Sequence, residues 1–213
     1  DQVPNLYKNS LEDYFSVLGL NKNNFFTDVS NYLSYETGQP THCYDANTIN
    51  NKLIFHEIES DEEFETLLDR KIYLKGKNAV FSLNNKVINL AGVVGGKSTS
   101  CSTNTKTVIV ECAFFQPEAI IGKSVKYDIQ SEASHKFERG VDRECQDKVL
   151  RRFIKVVAEH TSIKNMSIVS YEYEENKIHQ IPVNIHKINQ IIGIDLSENE
   201  YLNHLKKLGF VIQ

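Results

Sequence analysis

The stretch Val108-Ile109-Val110-Glu111-Cys112-Ala113-Phe114-Phe115 constrains the fold of this chain more than any other. Read as a strand over 107–115, it sends alternate side chains to opposite faces. Val108, Val110, Cys112 and Phe114 take one face, and Ile109, Glu111, Ala113 and Phe115 take the other. Both faces are apolar, so the strand is expected to be buried on both and covered by other layers. Glu111 then projects into apolar surroundings whichever way the strand sits. An unpaired buried carboxylate is costly, so it must find a partner, lie near water in a cleft, or keep its proton. A structural ion pair with Arg139 or Lys97 would satisfy it as well as a role towards a ligand.

The rest of the pattern fits an α+β fold with a mixed or antiparallel β-core and flanking helices. Apolar spacing predicts helices over 6–20, 27–36 and 143–160, the last with Cys145, Val149, Phe153 and Val157 on one stripe and Asp142 as its N-cap. Pro40 biases Gln39 away from helix and closes the second of these. Strands are expected at 52–58, 79–83, 86–90, 167–173 and 181–185, with Asn84-Asn85 as a tight hairpin turn. Residues 60–70 read as a short helix or a loop, and Pro117 opens a short helix over 117–123. Ser197-Glu198-Asn199-Glu200 has the form of a capping box, and Gly209 stops the helix that follows. The polar segment 174–180 suits a linker, which divides the chain into domains 1–175 and 181–213. The chain begins at Asp1, not Met, and stops at Gln213 after an apolar stretch, so it is expected to be cut from a longer protein.

Three further segments can carry chemistry. Gly92-Val93-Val94-Gly95-Gly96 lets backbone N–H groups approach a ligand, yet it lacks the ending of a P-loop and the spacing of a dinucleotide fingerprint. It serves equally as a glycine turn between strands. His42 reads as a loop histidine after a helix end, either simply solvated or placed to handle a proton or a water. Ser30 and Asn31, on the preceding helix, can face the same cleft or solvent. In Ser131–Asp142, Ser134 and His135 do not make a nucleophile pair, because adjacency in sequence supplies no orienting third group. Cys43, Cys101, Cys112 and Cys145 are far apart and without metal-ligand spacing. The net charge of −4 excludes a broadly basic nucleic-acid binder, so any RNA contact must be local. No apolar run approaches the roughly 18 residues that span a membrane.

Taken in order, several of these segments resemble one family. They are Asp28-Val29-Ser30-Asn31-Tyr32, Gly38-Gln39-Pro40-Thr41-His42, Ala91-Gly92-Val93-Val94-Gly95-Gly96, Glu111–Phe115 and Ala133–Asp142. They are similar to elements of the beta subunit of phenylalanyl-tRNA synthetases. The resemblance covers about residues 10–160, and the tail from about 181 resembles the start of the following helical domain, truncated. It implies a post-transfer editing site in a cleft between two sub-lobes, which hydrolyses tyrosine wrongly attached to tRNA(Phe). Position by position, it implies that Glu111 reads the tyrosine hydroxyl, Gly95 lines the pocket, and His42 lies near the scissile ester. Ser131 and Ala133 fall on small pocket positions, and Ser30 and Asn31 beside the terminal adenosine. Ser131 and Ser30 stand where the family often has threonine, and Asn21–Phe26 departs from its usual approach to the first motif. The implied partners are the acceptor end of the tRNA and the alpha subunit of an alpha2-beta2 cytoplasmic assembly, with neither membrane nor DNA. The parent enzyme uses ATP and Mg2+, but its magnesium ligands would lie beyond Gln213, and no cofactor is expected in this portion. A non-catalytic tRNA-docking module is the alternative.

Overall fold

The computed structural model describes residues 3–4, 6–59, 61–171 and 179–212. The chain divides into two compact units, Asp1–Met166 and Ser167–Gln213. The first unit opens with α1 (Asn9–Leu18) and α2 (Phe25–Thr37). Asn24 caps α2 by accepting the N–H of Thr27, and Gly38 ends it in the left-handed region, φ +79°. Six strands follow β1 (His42–Asp45): β2 (Ile54–Ile58), β3 (Glu62–Glu65), β4 (Lys71–Leu74), β5 (Asn78–Leu83), β6 (Lys86–Leu90) and the two-residue β7 (Val94–Gly95). Then come β8 (Val108–Glu111), the short helices α3 (Pro117–Ile120), α4 (Lys123–Tyr127) and α5 (Glu132–Phe137), and the long α6 (Gln146–His160).

The strands form antiparallel sheets: one of four in the order β2-β5-β6-β7 and two of two, β1-β8 and β3-β4. The β5-β6 hairpin turns on Asn84 and Asn85, both with positive φ (51° and 61°), as a tight antiparallel turn requires. Residues 60–70, expected as helix or loop, instead supply β3. Its acidic side chains mask an alternation in which only Phe64 goes inward, to 2% exposure, beside Ile72 and Leu74 of β4.

Two hydrophobic cores flank the β1-β8 ribbon. One gathers Tyr44, Phe64, Leu74, Val80, Leu90, Phe115 and Phe137. The other gathers Leu11, Phe25, Val29, Leu33, Cys43, Phe153 and Val156, with Val108 and Val110 packed against it. The pairing His42 with Glu111, Cys43 with Val110, and Tyr44 with Ile109 sets the faces. His42, Tyr44, Ile109 and Glu111 share one face, and Cys43 and Val110 the other. The strand expected over 107–115 is thus shorter, Val108–Glu111, and its burial on both faces is incomplete. Ile109, on the face of Glu111, is 38% exposed, while Tyr44 opposite it is fully buried.

Asp142 does not cap α6. The helix starts three residues later with Cys145 as its cap, and Asp142 accepts from the N–H of Glu144 instead. The buried stripe of α6 is Val149, Phe153, Val156 and Val157.

The second unit holds α7 (Ile185–Ile192) and α8 (Glu198–Lys207). The strands expected there do not form: 167–171 and 181–184 are irregular, and 172 and 173 lie outside the described residues. Ile185, Ile188, Ile191 and Ile192 recur at helical spacing, and Asn184 caps them by accepting the N–H of Lys187. The capping box of Ser197 and Glu200 forms in both directions. Most of the proposed linker, 174–178, lies outside the described residues. No helix among the described residues is long and apolar enough to cross a membrane.

Candidate functional site

His42 opens a strand and does not lie in a loop. The turn before it is held from both sides. Buried Gln39 donates through Nε2 to the carbonyls of Pro40 (2.8 Å) and Ala113 (2.9 Å), joining the approach to β1 with the exit from β8. Ser30, on α2, donates to the carbonyl of Thr41 at 2.7 Å, one residue ahead of His42. Asn31 is exposed on the same helix and is not drawn into this group.

Across the ribbon, Glu111 has no ion pair with either expected cation. Lys97 is held by Asp69 (2.6 Å) and Glu65 (3.5 Å), and Arg139 donates to the carbonyl of His135. The partner of Glu111 is a hydroxyl: Tyr44 Oη donates to Oε2 at 3.0 Å. Tyr44 Oη in turn accepts from Asn89 Nδ2 of β6 at 2.8 Å. Burial pushes the Glu111 carboxyl up to about 7, and the Tyr44 hydrogen bond only partly opposes this. A carboxyl poised there is both donor and acceptor near neutrality.

The imidazole of His42 lies edge-on to the Tyr44 ring, with centroids 4.5 Å apart. Burial holds it down to about 4, so it is neutral at pH 7. Its Nε2 is buried with no hydrogen-bond partner. An orphaned polar atom of this kind costs roughly 1–3 kcal/mol, which a bound water or ligand would recover. The ring fits because Gly95 has no side chain. A Cβ on Gly95 would fall 2.2 Å from His42 Cε1 and 2.7 Å from Nε2. Gly92 serves the other purpose a glycine run can have, a turn at φ +69°.

Ser131 and Ala133 stand at the start of α5. Ser131 caps this helix by accepting the N–H of Ser134 at 3.0 Å. It also donates to the carbonyl of Val93 at 2.6 Å, tying α5 to the glycine segment two residues before Gly95. Ala133 is half-buried against the first core. Ser131→Ala is therefore expected to cost about 1–2 kcal/mol of stability, seen as a lower urea midpoint. Ser134 is buried and donates to the carbonyl of Ser131, while His135 is exposed, so the two make no catalytic pair.

Glu111, His42 and Gly95 thus meet, with Ser131 one step behind. Tyr44 and Asn89 are functional neighbours that the residue pattern alone did not disclose. The signal for Tyr44 was present in the spacing His42-x-Tyr44, which places both on one face once 42–45 is a strand. The site offers the second oxygen of Glu111, which can accept a hydrogen bond, and the unpartnered Nε2 of His42. It offers no activated nucleophile: burial pushes the Cys112 thiol up to about 12 and Cys43 well up too. A surface hollow of about 350 Å³, lined by Asn51, Lys52, Ile54, Asn84 and Asn85, includes none of these groups.

The sequence matches the B3/4 domain family over residues 5–162. The phenylalanine–tRNA ligase beta subunit of Ehrlichia canis is 34% identical over 205 residues, covering 95% of this chain and 26% of that protein. That of Psychrobacter arcticus is 31% identical over the same length and coverage. That of Francisella tularensis is 31% identical over 191 residues, 89% of this chain and 24% of its own. The chain spans about a quarter of the length of these relatives.

Proposed function

Because this chain belongs to the B3/4 domain family, in the form found in phenylalanine–tRNA ligase beta subunits, we propose that it hydrolyses tyrosine from mischarged tRNA(Phe). The observation that carries this reading is Glu111, a carboxyl near neutrality in apolar walls beside the unpartnered Nε2 of His42. Tyrosine and phenylalanine differ by one hydroxyl, which an apolar synthetic pocket rejects only about a hundred-fold. A second site with a buried acceptor chooses the other way, because phenylalanine leaves that acceptor unpaired. Gly95 makes room for the imidazole of His42 at the pocket edge, the small side chains of Ser131 and Ala133 leave space for the tyrosine ring, and Ser30 and Asn31 border the terminal adenosine.

His42 works by position and not by basicity. An imidazole held down to about 4 is a weak base, so its Nε2 orients the attacking water while the terminal ribose hydroxyl of the tRNA assists. The acceptor end of tRNA(Phe) is the substrate, and the alpha subunit of an alpha2-beta2 cytoplasmic assembly is the partner. The editing domain spans 1–175, and 181–213 begins a further helical domain. ATP and Mg2+ belong to charging in the parent enzyme, and deacylation by this portion uses neither.

Single-turnover deacylation tests this. The chain is expected to release tyrosine from Tyr-tRNA(Phe) faster than phenylalanine from Phe-tRNA(Phe), with a preference that rises as pH passes through about 7 and Glu111 ionises. Uncatalysed rates for both, with retained tRNA binding, would leave a docking module in place of a hydrolase.

A further inference from the structure

Between Glu111 and the core lies a hydrogen-bond chain with a fixed direction. The amide nitrogen of Asn89 can only donate, so at 2.8 Å it makes Tyr44 Oη an acceptor. The one hydrogen of that hydroxyl is then committed to Glu111 Oε2 at 3.0 Å. Tyr44 is 0% and Asn89 4% exposed, so water does not compete for either group. We infer that Asn89 and Tyr44 are positioning residues that occupy one oxygen of Glu111 and leave the other to receive a single hydroxyl from the acyl group. The site is thereby matched to an aromatic acyl group bearing one donor. One that presents a carboxylate at this point meets the Glu111 charge once that group ionises, and finds the Tyr44 hydrogen already committed. This inference rests on the editing role proposed above and adds what orients its acceptor.

The titratable groups around Glu111, on its own face and behind it, leave it as the charge that changes near neutrality. His42, Cys43 and Tyr44 lie on β1 and Cys112 adjoins it in the chain, while Asn89 on β6 does not titrate. Burial holds His42 down to about 4, lifts Cys112 to about 12, and raises both Cys43 and Tyr44. All four are neutral at pH 7. The Tyr44 hydrogen bond stabilises the carboxylate, opposing desolvation.

The test is the carboxyl titration of Glu111, followed by 13C NMR of glutamate-labelled chain and assigned through Glu111→Gln. Tyr44→Phe is nearly isosteric and is expected to move the midpoint upward by about one unit or more. Asn89→Leu frees the hydroxyl to turn and should move it in the same direction by less. The preference for tyrosyl over phenylalanyl ester should follow the same displaced pH profile in both variants. An unmoved midpoint in Tyr44→Phe overturns the donor chain, even if Glu111→Ala abolishes the preference. A preference that survives Glu111→Ala overturns the editing reading instead.

Discussion

Glu111→Ala is expected to lower tyrosyl-ester hydrolysis by about two orders of magnitude and leave phenylalanyl-ester hydrolysis almost unchanged, erasing the preference. The size follows from the loss of one charge-assisted hydrogen bond, about 1.5–3 kcal/mol, which the neutral hydroxyl freed on Tyr44 does not match. A structural carboxyl would behave otherwise: its loss would weaken the fold and spare selectivity. The two roles also separate by stability. The folded carboxyl titrates at about 7, above its ordinary 4.5, so folding is favoured most when it is protonated. That contribution is full below about 4.5 and is lost as pH rises through 7. At pH 8 the ionised Glu111 burdens the fold by about 3 kcal/mol. Glu111→Gln keeps an acceptor for Tyr44 and carries no charge. Its urea midpoint should exceed that of the parent at pH 8 and match it at pH 4. A lower midpoint at both would mark Glu111 as a structural group and sink its assignment as the specificity acid.

Gly95→Ala should be the most damaging small substitution for hydrolysis. The added Cβ would sit 2.2 Å from His42 Cε1 and 2.9 Å from Leu67 Cδ2. The imidazole must swing away, since β7 is fixed: the N–H of Leu67 donates to the carbonyl of Gly95 at 2.9 Å. A displacement of about 1 Å in a positioning group costs about a hundred-fold in rate. The expected result is a single-turnover rate down by about 10²-fold, with an overpacking cost of about 1–3 kcal/mol in stability. Glu111 is untouched, so the small residual activity should still favour tyrosine. Wild-type rates in Gly95→Ala would mean that the position of the His42 ring does not matter to the chemistry.

Much of this was legible in the residues, and the failures share one cause. The apolar setting of Glu111 was visible because β8 announces itself in four consecutive side chains. The hairpin at Asn84-Asn85, the capping box at Ser197 and the stripe of α6 are likewise local signals. β1 was not legible: four residues, His-Cys-Tyr-Asp, carry no period of their own and become a strand only through pairing with β8. With β1 unread, His42 looked like a loop residue, and neither Tyr44 nor Asn89 could be joined to Glu111. β3 was obscured because three glutamates surround its single inward residue, Phe64. In the tail, a strand was expected over 181–185, whereas 181–184 is irregular and Ile185 opens a helix behind the Asn184 cap.

The β1-β8 ribbon also bears on how the face that carries His42 and Glu111 comes into being. Its paired residues lie 63 to 69 positions apart, with β2 to β7 in between, so closing it carries the entropy of a long loop. Contacts of such separation form more slowly than local ones, because the closure entropy comes before the contacts offset it. Neither strand makes the face alone, so His42 and Glu111 come together only when β1 and β8 pair. On a ribosome, the chain would acquire this face only once β8 had emerged, after nearly all of the first unit's sheets.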